Sequence, residues 1–304
     1  MKRVSNSPSS VTVRVPASTS NLGPGFDTLG LALRLYNVAK ISENGDTAVR
    51  LVSPIADEAK AGATAMLAEA AEAFFARVKR RRFGVDVALG GDVPIARGLG
   101  SSVTARLGVV AGLNELARTK LSREALLELV SGLEHHPDNA APAIFGGFTV
   151  AGMLGTAVRC LHFSVSPRLK FVTLIPRFEV STEEARKLVP ATFSKSDTVH
   201  NLNRAALISA AFASGNYQAL RGLFDDRVHQ PYRMKLIPQL SRVIEAGEKA
   251  GAIGGWLSGS GSTIICLTLQ RPEEVGRAMR RELRESDLRI LTADACGLVV
   301  TRRG

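Results

Sequence analysis

The segment that best predicts the architecture of this 304-residue chain is Pro94-Ile95-Ala96-Arg97-Gly98-Leu99-Gly100-Ser101-Ser102-Val103-Thr104. Residues 85–89 before it alternate between apolar and polar side chains and predict a strand, whereas residues 101–117 predict an apolar helix. The two glycines let the backbone take positive φ angles and approach a ligand closely. Unpaired N–H groups and the dipole at the start of the helix attract an anion. The segment therefore predicts a strand, a phosphate-binding turn and a helix.

A glycine pair before a helix has a second interpretation. Ser101 and Ser102 could simply cap the helix of a plain strand–turn–helix unit. The segment is not a Walker A loop, because no Gly-Lys-Ser or Gly-Lys-Thr follows the glycines. The chain also lacks the His-Arg-Asp and Asp-Phe-Gly sequences of protein kinases. Further motifs are needed to choose between a cap and a phosphate loop.

Two more glycine-rich motifs occur, one near each end of the chain. They are Pro16-Ala17-Ser18-Thr19-Ser20-Asn21-Leu22-Gly23-Pro24-Gly25-Phe26-Asp27-Thr28-Leu29-Gly30 and Gly254-Gly255-Trp256-Leu257-Ser258-Gly259-Ser260-Gly261-Ser262. Together with residues 94–104, they resemble in order and position the three motifs of the GHMP kinases, a family that phosphorylates hydroxyl groups of small molecules. The resemblance spans nearly the whole chain.

The resemblance implies an α+β fold in two lobes, with ATP against residues 94–104 and the substrate in the cleft between the lobes. The N-terminal lobe would be like ribosomal protein S5 domain 2, and the C-terminal lobe would be ferredoxin-like. Because the pattern of strands and helices restarts near residue 160, we expect an ATP-binding domain at residues 1–160 and a C-terminal domain at residues 161–304. The local patterns predict helices over residues 61–82, 121–133 and 217–224, and a strand with a turn over residues 144–153.

Four other segments resemble the members of the family that act on homoserine. They are residues 21–27, 136–148, 181–186 and 226–233. His135 is a departure, since the family often carries glycine there. The resemblance implies an enzyme, a phosphotransferase that makes O-phospho-L-homoserine from L-homoserine and ATP, which is a step of threonine biosynthesis.

Homoserine carries one carboxylate, one ammonium group and one reactive hydroxyl, and each group needs a different partner. The planar fork of arginine matches a carboxylate, and the resemblance gives this role to Arg186 and Arg233. It gives the ammonium group to Asp27 and Asn139. The substrate-binding residues that the resemblance implies are Asn21, Asp27, His136, Asp138, Asn139, Arg186 and Arg233.

Each of these residues also has a structural interpretation. Arg186 could be a solvated cation on a short amphipathic helix. Asp27 could be a turn residue, and Asn139 could be a cap. For His136 and His229, structural and substrate-binding roles fit the sequence equally well.

Phosphoryl transfer depends mainly on positioning and on neutralising charge. The resemblance implies Mg²⁺, a hard cation that takes oxygen ligands, with Ser102 and Glu128 as its ligands. Galactokinase and mevalonate kinase are assigned an aspartate base, but this sequence has no secure equivalent. We expect Asn139 and Thr182 to position the hydroxyl, with Arg186 completing the catalytic set, and the hydroxyl proton to pass late to a phosphate oxygen.

A net charge of +11 suggests nucleic acid as one partner. The basic residues are dispersed, however. The densest clusters, residues 79–82 and 280–281, lie at the ends of helical patterns, where cations interact favourably with the negative end of the helix dipole. Aromatic residues make up only 5% of the chain, too few for a stacking surface. We therefore expect a small-molecule substrate and no nucleic-acid partner.

No apolar run reaches the ~18 residues of a membrane-spanning helix, so no membrane partner is expected. Residues 1–10 are polar, lack the apolar stretch of a secretory signal and predict a loose tail. Cys160, Cys266 and Cys296 form no CxxC pair, which indicates buried free thiols in a reducing cytoplasm. The oligomeric state stays open, with a homodimer as one option.

Other functions compete with this interpretation. One is a kinase of the same fold with mevalonate or a sugar as acceptor, although Arg186 and Arg233 favour an amino acid. Another is a non-catalytic relative that senses a ligand, against which the intact Ser101, Ser102 and Glu128 argue. A nucleic-acid binder is supported by net charge alone.

Overall fold

The computed structural model describes residues 10–54 and 57–303. These residues form a seven-stranded sheet and a four-stranded sheet with helices packed on them, which confirms the predicted α+β class. The predicted loose tail lies outside the described residues, except for Ser10, which begins the first strand.

The strands are β1 (Ser10–Ser20), β2 (Leu29–Glu43), β3 (Val49–Leu51), β4 (Val85–Gly91), β5 (Phe148–Leu154), β6 (Ala157–Phe163), β7 (Lys170–Pro176), β8 (Gly254–Leu257), β9 (Ile264–Thr268), β10 (Ser286–Leu291) and β11 (Val299–Arg303). The α-helices are α1 (Asp57–Val78), α2 (Ser101–Leu116), α3 (Arg123–Glu134), α4 (Ala140–Phe145), α5 (Thr182–Lys187), α6 (Lys195–Ser214), α7 (Gln230–Arg233), α8 (Leu240–Lys249) and α9 (Pro272–Glu282). A single 3₁₀ turn covers Tyr217–Leu220.

The first sheet is organised around β2, its longest strand. The strand order is β11-β1-β2-β4-β3, with β5 paired to the first residues of β2 and β6 paired to β5. Val11, Val13 and Val15 alternate along β1, so they share one face of the sheet, and all three are fully buried. They belong to one apolar cluster with side chains of α1, α2, α3 and α4. These helices therefore cover one face of the first sheet.

The second sheet has the order β10-β7-β9-β8, and its strands are antiparallel. One face packs under α8 and α9. On the other face, Phe171 and Trp256 share a buried cluster with Leu31 and Phe148 of the first sheet. The two sheets thus meet in a common core, which fixes how their connecting loops face one another.

The structure tests the local predictions one by one. The helix predicted from residue 101 is α2. The helix predicted over residues 217–224 is wrong, because only the 3₁₀ turn forms and Gly222 follows it at a φ of 77°. In residues 144–153 the strand begins at Phe148 and Gly146 and Gly147 form the turn, whereas Ile144 and Phe145 belong to α4.

The division of the chain at residue 160 stays a prediction. Residue 160 lies within β6, and β11 from the far end of the chain pairs with β1 in the first sheet. Cys160, Cys266 and Cys296 are free, as predicted, but the prediction that they are buried holds for Cys266 and is wrong for the half-buried Cys160 and the exposed Cys296. Across the two described ranges, no helix is both long and apolar enough to cross a membrane.

A buried carboxylate fixes the turn before α7. Oδ1 of Asp226 accepts from the Val228 N–H at 2.9 Å and from Asn201 Nδ2 at 2.6 Å. Its Oδ2 accepts from the backbone N–H groups of His229 at 2.9 Å and Gln230 at 2.6 Å. Four donors on one buried carboxylate make this turn a stability determinant as well as a support for α7.

We expect Asp226→Ala to lower the free energy of unfolding by about 3–5 kcal/mol, because it leaves several buried donors without an acceptor. Asp225→Ala is the matched control. The Asp225 side chain is 63% exposed and contacts only the ring of His200 at 3.0 Å among the described ion pairs. Its replacement should change stability by less than about 1 kcal/mol. Urea unfolding of both variants would measure the difference, and equal losses would contradict the assignment.

Candidate active site

A polar cavity opens where the loops of the two sheets meet. Its walls come from the end of β1, the loop before α2, the segment after α3, the start of α5, α7 and the loop after β8. The lining residues are Ser20, Asn21, Asp27, Ala96, Gly98, Gly100, Ser101, Ser102, Val103, Glu134, His136, Asp138, Asn139, Thr182, Arg186, Arg233, Gly259 and Ser260. All substrate-binding residues predicted from the sequence lie in this one cavity.

Buried hydroxyls join the three glycine-rich motifs. Ser258 Oγ lies 2.6 Å from the Gly98 carbonyl oxygen and 2.8 Å from Thr19 Oγ1, and Trp256 Nε1–H donates to Thr19 Oγ1 at 3.0 Å. A carbonyl can only accept, so the single Ser258 proton goes to Gly98, and Thr19 donates its own proton to Ser258. Motifs far apart in the sequence thus form one hydrogen-bonded junction.

Two positions of the phosphate loop require glycine. Gly98 has a φ of 71° and Gly100 a φ of 72°, in the left-handed region that side chains disfavour. A Cβ on Gly98 would lie 2.1 Å from the Ser258 carbonyl oxygen, and a Cβ on Gly100 would lie 2.3 Å from Ser18 Oγ. Residues 101–103, which begin α2, line the cavity. The predicted strand, turn and helix are confirmed, with the unpaired N–H groups of a helix start at the cavity wall.

The acidic neighbour of this loop is Glu134 and not Glu128. Ser102 Oγ donates to Glu134 Oε2 at 3.3 Å, and Arg106 Nε lies 3.2 Å from Glu134 Oε1. Burial raises the pKa of Glu134, while the charge of Arg106 acts in the opposite direction. Glu128 lies six residues earlier on α3, about 9 Å along the axis and on another face, where it pairs with Arg77 at 3.6 Å. The structure therefore corrects the sequence-based pairing of Ser102 with Glu128.

The segment after α3 places an amide and an ion pair in the cavity. Asn139 Oδ1 accepts from Ser18 Oγ at 2.9 Å, and Asn139 Nδ2 donates to Ser20 Oγ at 3.0 Å. His136 Nδ1 lies 2.5 Å from Asp138 Oδ1. Burial alone would lower the pKa of His136, but the hydrogen bond and charge of Asp138 raise it. Burial alone would raise the pKa of Asp138, but His136 lowers it. Each partner therefore favours the charged form of the other.

Asp27 and Arg186 form a two-pronged ion pair at the cavity wall. Arg186 Nη1 donates to Asp27 Oδ2 at 3.1 Å, and Arg186 Nη2 donates to Asp27 Oδ1 at 2.8 Å. The guanidinium carbons of Arg186 and Arg233 lie 5.6 Å and 5.2 Å from the ring centre of Phe26, within the range of cation–π attraction. Phe26 thus supports two cations side by side.

Arg233 is buried and is held by main-chain carbonyls. Its Nη1 donates to Gly259 O at 2.8 Å and to His229 Nδ1 at 3.3 Å, and its Nε donates to Ala185 O at 3.3 Å. Because Nδ1 of His229 accepts, its Nε2 carries the proton and donates to Gly23 O at 2.9 Å. Burial lowers the pKa of His229, and burial lowers the pKa of Arg233 to about 10. The geometry therefore gives His229 a structural role beside a charged Arg233.

Two further predicted residues occupy the rim of the cavity. Thr182, the first residue of α5, has its Oγ1 3.2 Å from Ser260 Oγ. Asn21 Oδ1 accepts from the Asp27 N–H at 3.0 Å, and Asn21 Nδ2 donates to Gly259 O at 3.2 Å. Asn21 therefore shapes the turn that presents Asp27, whereas Thr182 offers a hydroxyl to the cavity.

The predicted phosphate loop divides into lining and supporting residues. Pro94, Ile95, Arg97, Leu99 and Thr104 do not line the cavity, whereas the other residues of the loop do. Four lining residues were missed in the sequence: Ser20, Glu134, Gly259 and Ser260. Glu134 directly precedes His135 and His136, and the other three lie inside the two outer motifs. Their closeness to a motif is therefore the feature of the sequence that could have identified them.

The cavity can hold an anion at one end and a dipolar ion at the other. Asp27, His136 and Asp138 each offer one ligand atom within 4.8 Å of the others, a grouping suited to a cation. Asp138 favours the protonated form of the His136 imidazole, which is not a metal ligand, so the two carboxylates of this grouping suit an ammonium group better than Mg²⁺. Ser102 and Glu134 offer the hard oxygen atoms that Mg²⁺ prefers, next to the phosphate loop.

Comparisons with known proteins agree with this geometry. The model of the GHMP kinases N terminal domain matches residues 65–147, and the model of the GHMP kinases C terminal region matches residues 207–285. The chain therefore belongs to the GHMP kinase family, whose members are ATP-dependent kinases. The predicted family and its two-lobed fold are confirmed.

Individual relatives are similar along most of their length. A homoserine kinase from Moorella thermoacetica is 40% identical over 267 residues, which cover 88% of this chain and 90% of the relative. A homoserine kinase from Caldicellulosiruptor bescii is 37% identical over 296 residues, with 95% and 96% covered. The crystal structure of homoserine kinase from Cytophaga hutchinsonii matches with a TM-score of 0.87 at 25% identity, covering 96% of this chain and 98% of that one.

Proposed function

We propose that this protein transfers the γ-phosphoryl group of ATP to the hydroxyl of L-homoserine, giving O-phospho-L-homoserine for threonine biosynthesis. The observation that carries the proposal is the Asp27–Arg186 ion pair with Arg233 beside it, in the same cavity as the phosphate loop. A carboxylate and two guanidinium groups are the complement of an amino acid. The homoserine kinases with 37–40% identity over most of the chain support the same acceptor.

Substrate binding would be an exchange of ion pairs. The homoserine carboxylate would take the guanidinium groups of Arg186 and Arg233, and the ammonium group would take Asp27, with the Asn139 amide oxygen nearby. Asp27 and Arg186 then each pass from one charged partner to another, whereas Arg233, which main-chain carbonyls hold, gains a charged partner. Because no charge is left unpaired in a partly buried cavity, the exchange avoids most of the desolvation cost.

The nucleotide phosphates would lie against the start of α2, where unpaired N–H groups and the helix dipole meet them. Mg²⁺ would be held by Ser102 and Glu134, where it would supply neutralisation of phosphate charge. The fit rests on Glu134 Oε1, which is buried and without a hydrogen-bond partner in the described part of the chain. Arg106 Nε is 3.2 Å away but lacks hydrogen-bond geometry.

The reacting hydroxyl would be positioned by Asn139 and Thr182, with Arg186 fixing the other end of the acceptor. Ser18 and Ser20 hold both ends of the Asn139 amide, so its direction is set before the substrate binds. No carboxylate is assigned as general base, because Asp27 and Asp138 are committed to charged partners. The hydroxyl would lose its proton late to a phosphate oxygen, which a loose transition state allows.

A reducing cytoplasm and a two-domain division near residue 160 remain parts of this proposal, and the oligomeric state stays open with a homodimer as one option. The free cysteines support the compartment, and the separate matches of the two family models support the division.

An acceptor panel tests the proposed function directly. ADP release from ATP would be followed with L-homoserine, L-serine, mevalonate and galactose side by side. We expect L-homoserine to exceed the others in kcat/KM by at least about tenfold, or about 1.4 kcal/mol. Mevalonate lacks the ammonium group, galactose lacks both charged groups, and L-serine places its hydroxyl one carbon closer to them. Preference for mevalonate or galactose would show that the acceptor is wrong. No turnover of any acceptor would favour a ligand sensor.

The metal assignment predicts different outcomes for two glutamates of the same helix. Glu134→Gln should lower the rate at limiting Mg²⁺ about tenfold or more, because an amide is a poorer ligand than a carboxylate. Glu128→Gln is the matched control and should stay within about twofold of the unmodified protein. Calorimetry of ADP binding with and without Mg²⁺ gives a readout independent of turnover. An equal response of both variants would refute the assignment.

A double-mutant cycle tests whether Arg186 contacts the carboxylate of homoserine, because the two groups are removed separately and together. A charge-assisted hydrogen bond contributes roughly 1.5–3 kcal/mol, so Arg186→Ala should raise KM for homoserine about 10- to 150-fold. ATP affinity should hardly change, because Arg186 has no contact with the phosphate loop among the described hydrogen bonds. Replacing homoserine by its amide, which lacks the negative charge, should raise KM more for the unmodified protein than for Arg186→Ala.

Lys187→Ala is the control for this cycle. Lys187 is the neighbouring cation of α5 and pairs only with Glu183 among the described ion pairs, at 2.6 Å on the exposed face. It should leave the discrimination between homoserine and its amide unchanged. If the free-energy costs of removing the guanidinium group and the carboxylate were strictly additive, the Arg186 side chain would not contact the carboxylate. Arg233 would then be the remaining candidate for binding it.

A further inference from the structure

The side chain of Arg97 points away from the cavity although the residue lies in the phosphate loop. Its Nε donates to Pro176 O at 2.9 Å, and its Nη2 donates to Arg177 O at 2.5 Å. Its Nη1 donates to Ile95 O at 3.0 Å and lies 3.2 Å from Glu179 Oε1. The Arg97 side chain is only 14% exposed. One guanidinium group therefore fastens the phosphate loop to the segment that follows β7.

Other contacts hold the same segment. The Val180 N–H donates to Ala96 O at 3.2 Å, next to the Arg97 contacts. From the third glycine-rich motif, Ser262 Oγ donates to Phe178 O at 2.7 Å. Pro176, Arg177 and Val180 are thus bonded to the phosphate loop and Phe178 to the third motif, so movement of the loop must be shared by this segment.

This segment leads directly into α5, which carries Thr182 and Arg186. The helix has six residues, and Ala185 is its only buried residue. A helix this short has little stability of its own. Its position is therefore set by the segment before it and by a few side-chain contacts, namely those of Ala185 O with Arg233, Arg186 with Asp27 and Thr182 with Ser260.

We propose that Arg97 is a positioning residue that couples nucleotide binding to the acceptor site. Phosphates that order the loop would, through Arg97, order residues 176–187 and so fix Thr182 and Arg186. The identity of the two ligands rests on the proposed function. The coupling is reciprocal, so bound homoserine tightens nucleotide binding by the same factor. Most of the effect comes from the two carbonyl contacts, because Glu179 is 65% exposed and an exposed ion pair contributes little.

The chain offers a matched control for this guanidinium. Arg123 also donates to main-chain carbonyls of other segments, namely Ile144 O at 3.0 Å, Cys296 O at 3.2 Å and Leu298 O at 3.2 Å. Among the described hydrogen bonds it contacts neither the phosphate loop nor residues 176–187. Arg123→Met therefore removes the same kind of contact without touching the proposed connection.

The first measurement is amide hydrogen exchange over residues 176–187, with and without ADP and Mg²⁺. We expect the nucleotide to slow exchange in the unmodified protein, in Arg123→Met and in Glu179→Gln, and to have no such effect in Arg97→Met. Arg97→Lys keeps the charge but cannot reach both carbonyls, so it should behave like Arg97→Met. It also serves as the test variant if Arg97→Met does not fold. The proposal would be overturned if ADP and Mg²⁺ still slowed exchange over residues 176–187 in folded Arg97 variants, or if they did not slow it in the unmodified protein.

The second measurement is the Kd of L-homoserine by calorimetry with and without ADP and Mg²⁺. We expect ADP to tighten homoserine binding about fivefold or more in the unmodified protein and Arg123→Met, and less than about twofold in Arg97→Met. Equal tightening in Arg97→Met and Arg123→Met would refute the coupling. If nucleotide protects residues 176–187 through Arg97 but homoserine does not bind at all, the proposed acceptor fails and the coupling role of Arg97 stands.

Discussion

The hydrogen bond from the Ser258 hydroxyl to the Gly98 carbonyl is the interaction on which the cavity depends. It joins the phosphate loop to the third motif at 2.6 Å, and Thr19 and Trp256 extend it to the first motif. The contact requires a hydroxyl at position 258 and a glycine at position 98, because a Cβ on Gly98 would collide with the Ser258 main chain. Without the Ser258 hydroxyl, the partly buried Gly98 carbonyl would lose this donor, at a cost of about 1 kcal/mol. A loop with two left-handed glycines loses much entropy on folding, so it needs such fixed contacts to be ordered.

Ion pairing prepares the acceptor end of the cavity in a different way. The Asp27–Arg186 pair is one-third exposed, and its members are the two groups that a zwitterion would separate. A ligand with only a carboxylate would take Arg186 and leave Asp27 without its partner. A ligand with only an ammonium group would do the reverse. Selection for a dipolar ion therefore follows from the pairing itself, because each single-charge ligand leaves one partly buried charge uncompensated.

Sequence reasoning succeeded where the chemistry was local. The glycines, serines and apolar helix of residues 94–104 carry their own conformational requirements, and the structure has the predicted turn. It failed where several side chains on one helix compete: Glu128 and Glu134 both lie on α3, and only the packing of α3 against α2 shows which one meets Ser102. The orientation of the Arg97 side chain could not be predicted either, because its partners Pro176 and Arg177 lie about 80 residues away along the chain. Motif membership located a segment, whereas tertiary packing decided which side chains of that segment face the ligand.

The net charge of +11 acts on the two ligands unequally. Around the acceptor end, Arg233 feels the positive charge of Arg186 and the opposing charges of Asp27, Asp138 and Asp226. Cations and carboxylates there are close to balanced, so a neutral zwitterion gains nothing from the overall field and must be recognised by placement. The nucleotide is a polyanion, and it approaches a helix start in a basic protein, where the long-range field raises its local concentration within about one Debye length. The excess positive charge therefore favours binding of the nucleotide, whereas in the proposed function the acceptor is chosen by the placement of side chains such as Asp27, Arg186 and Arg233.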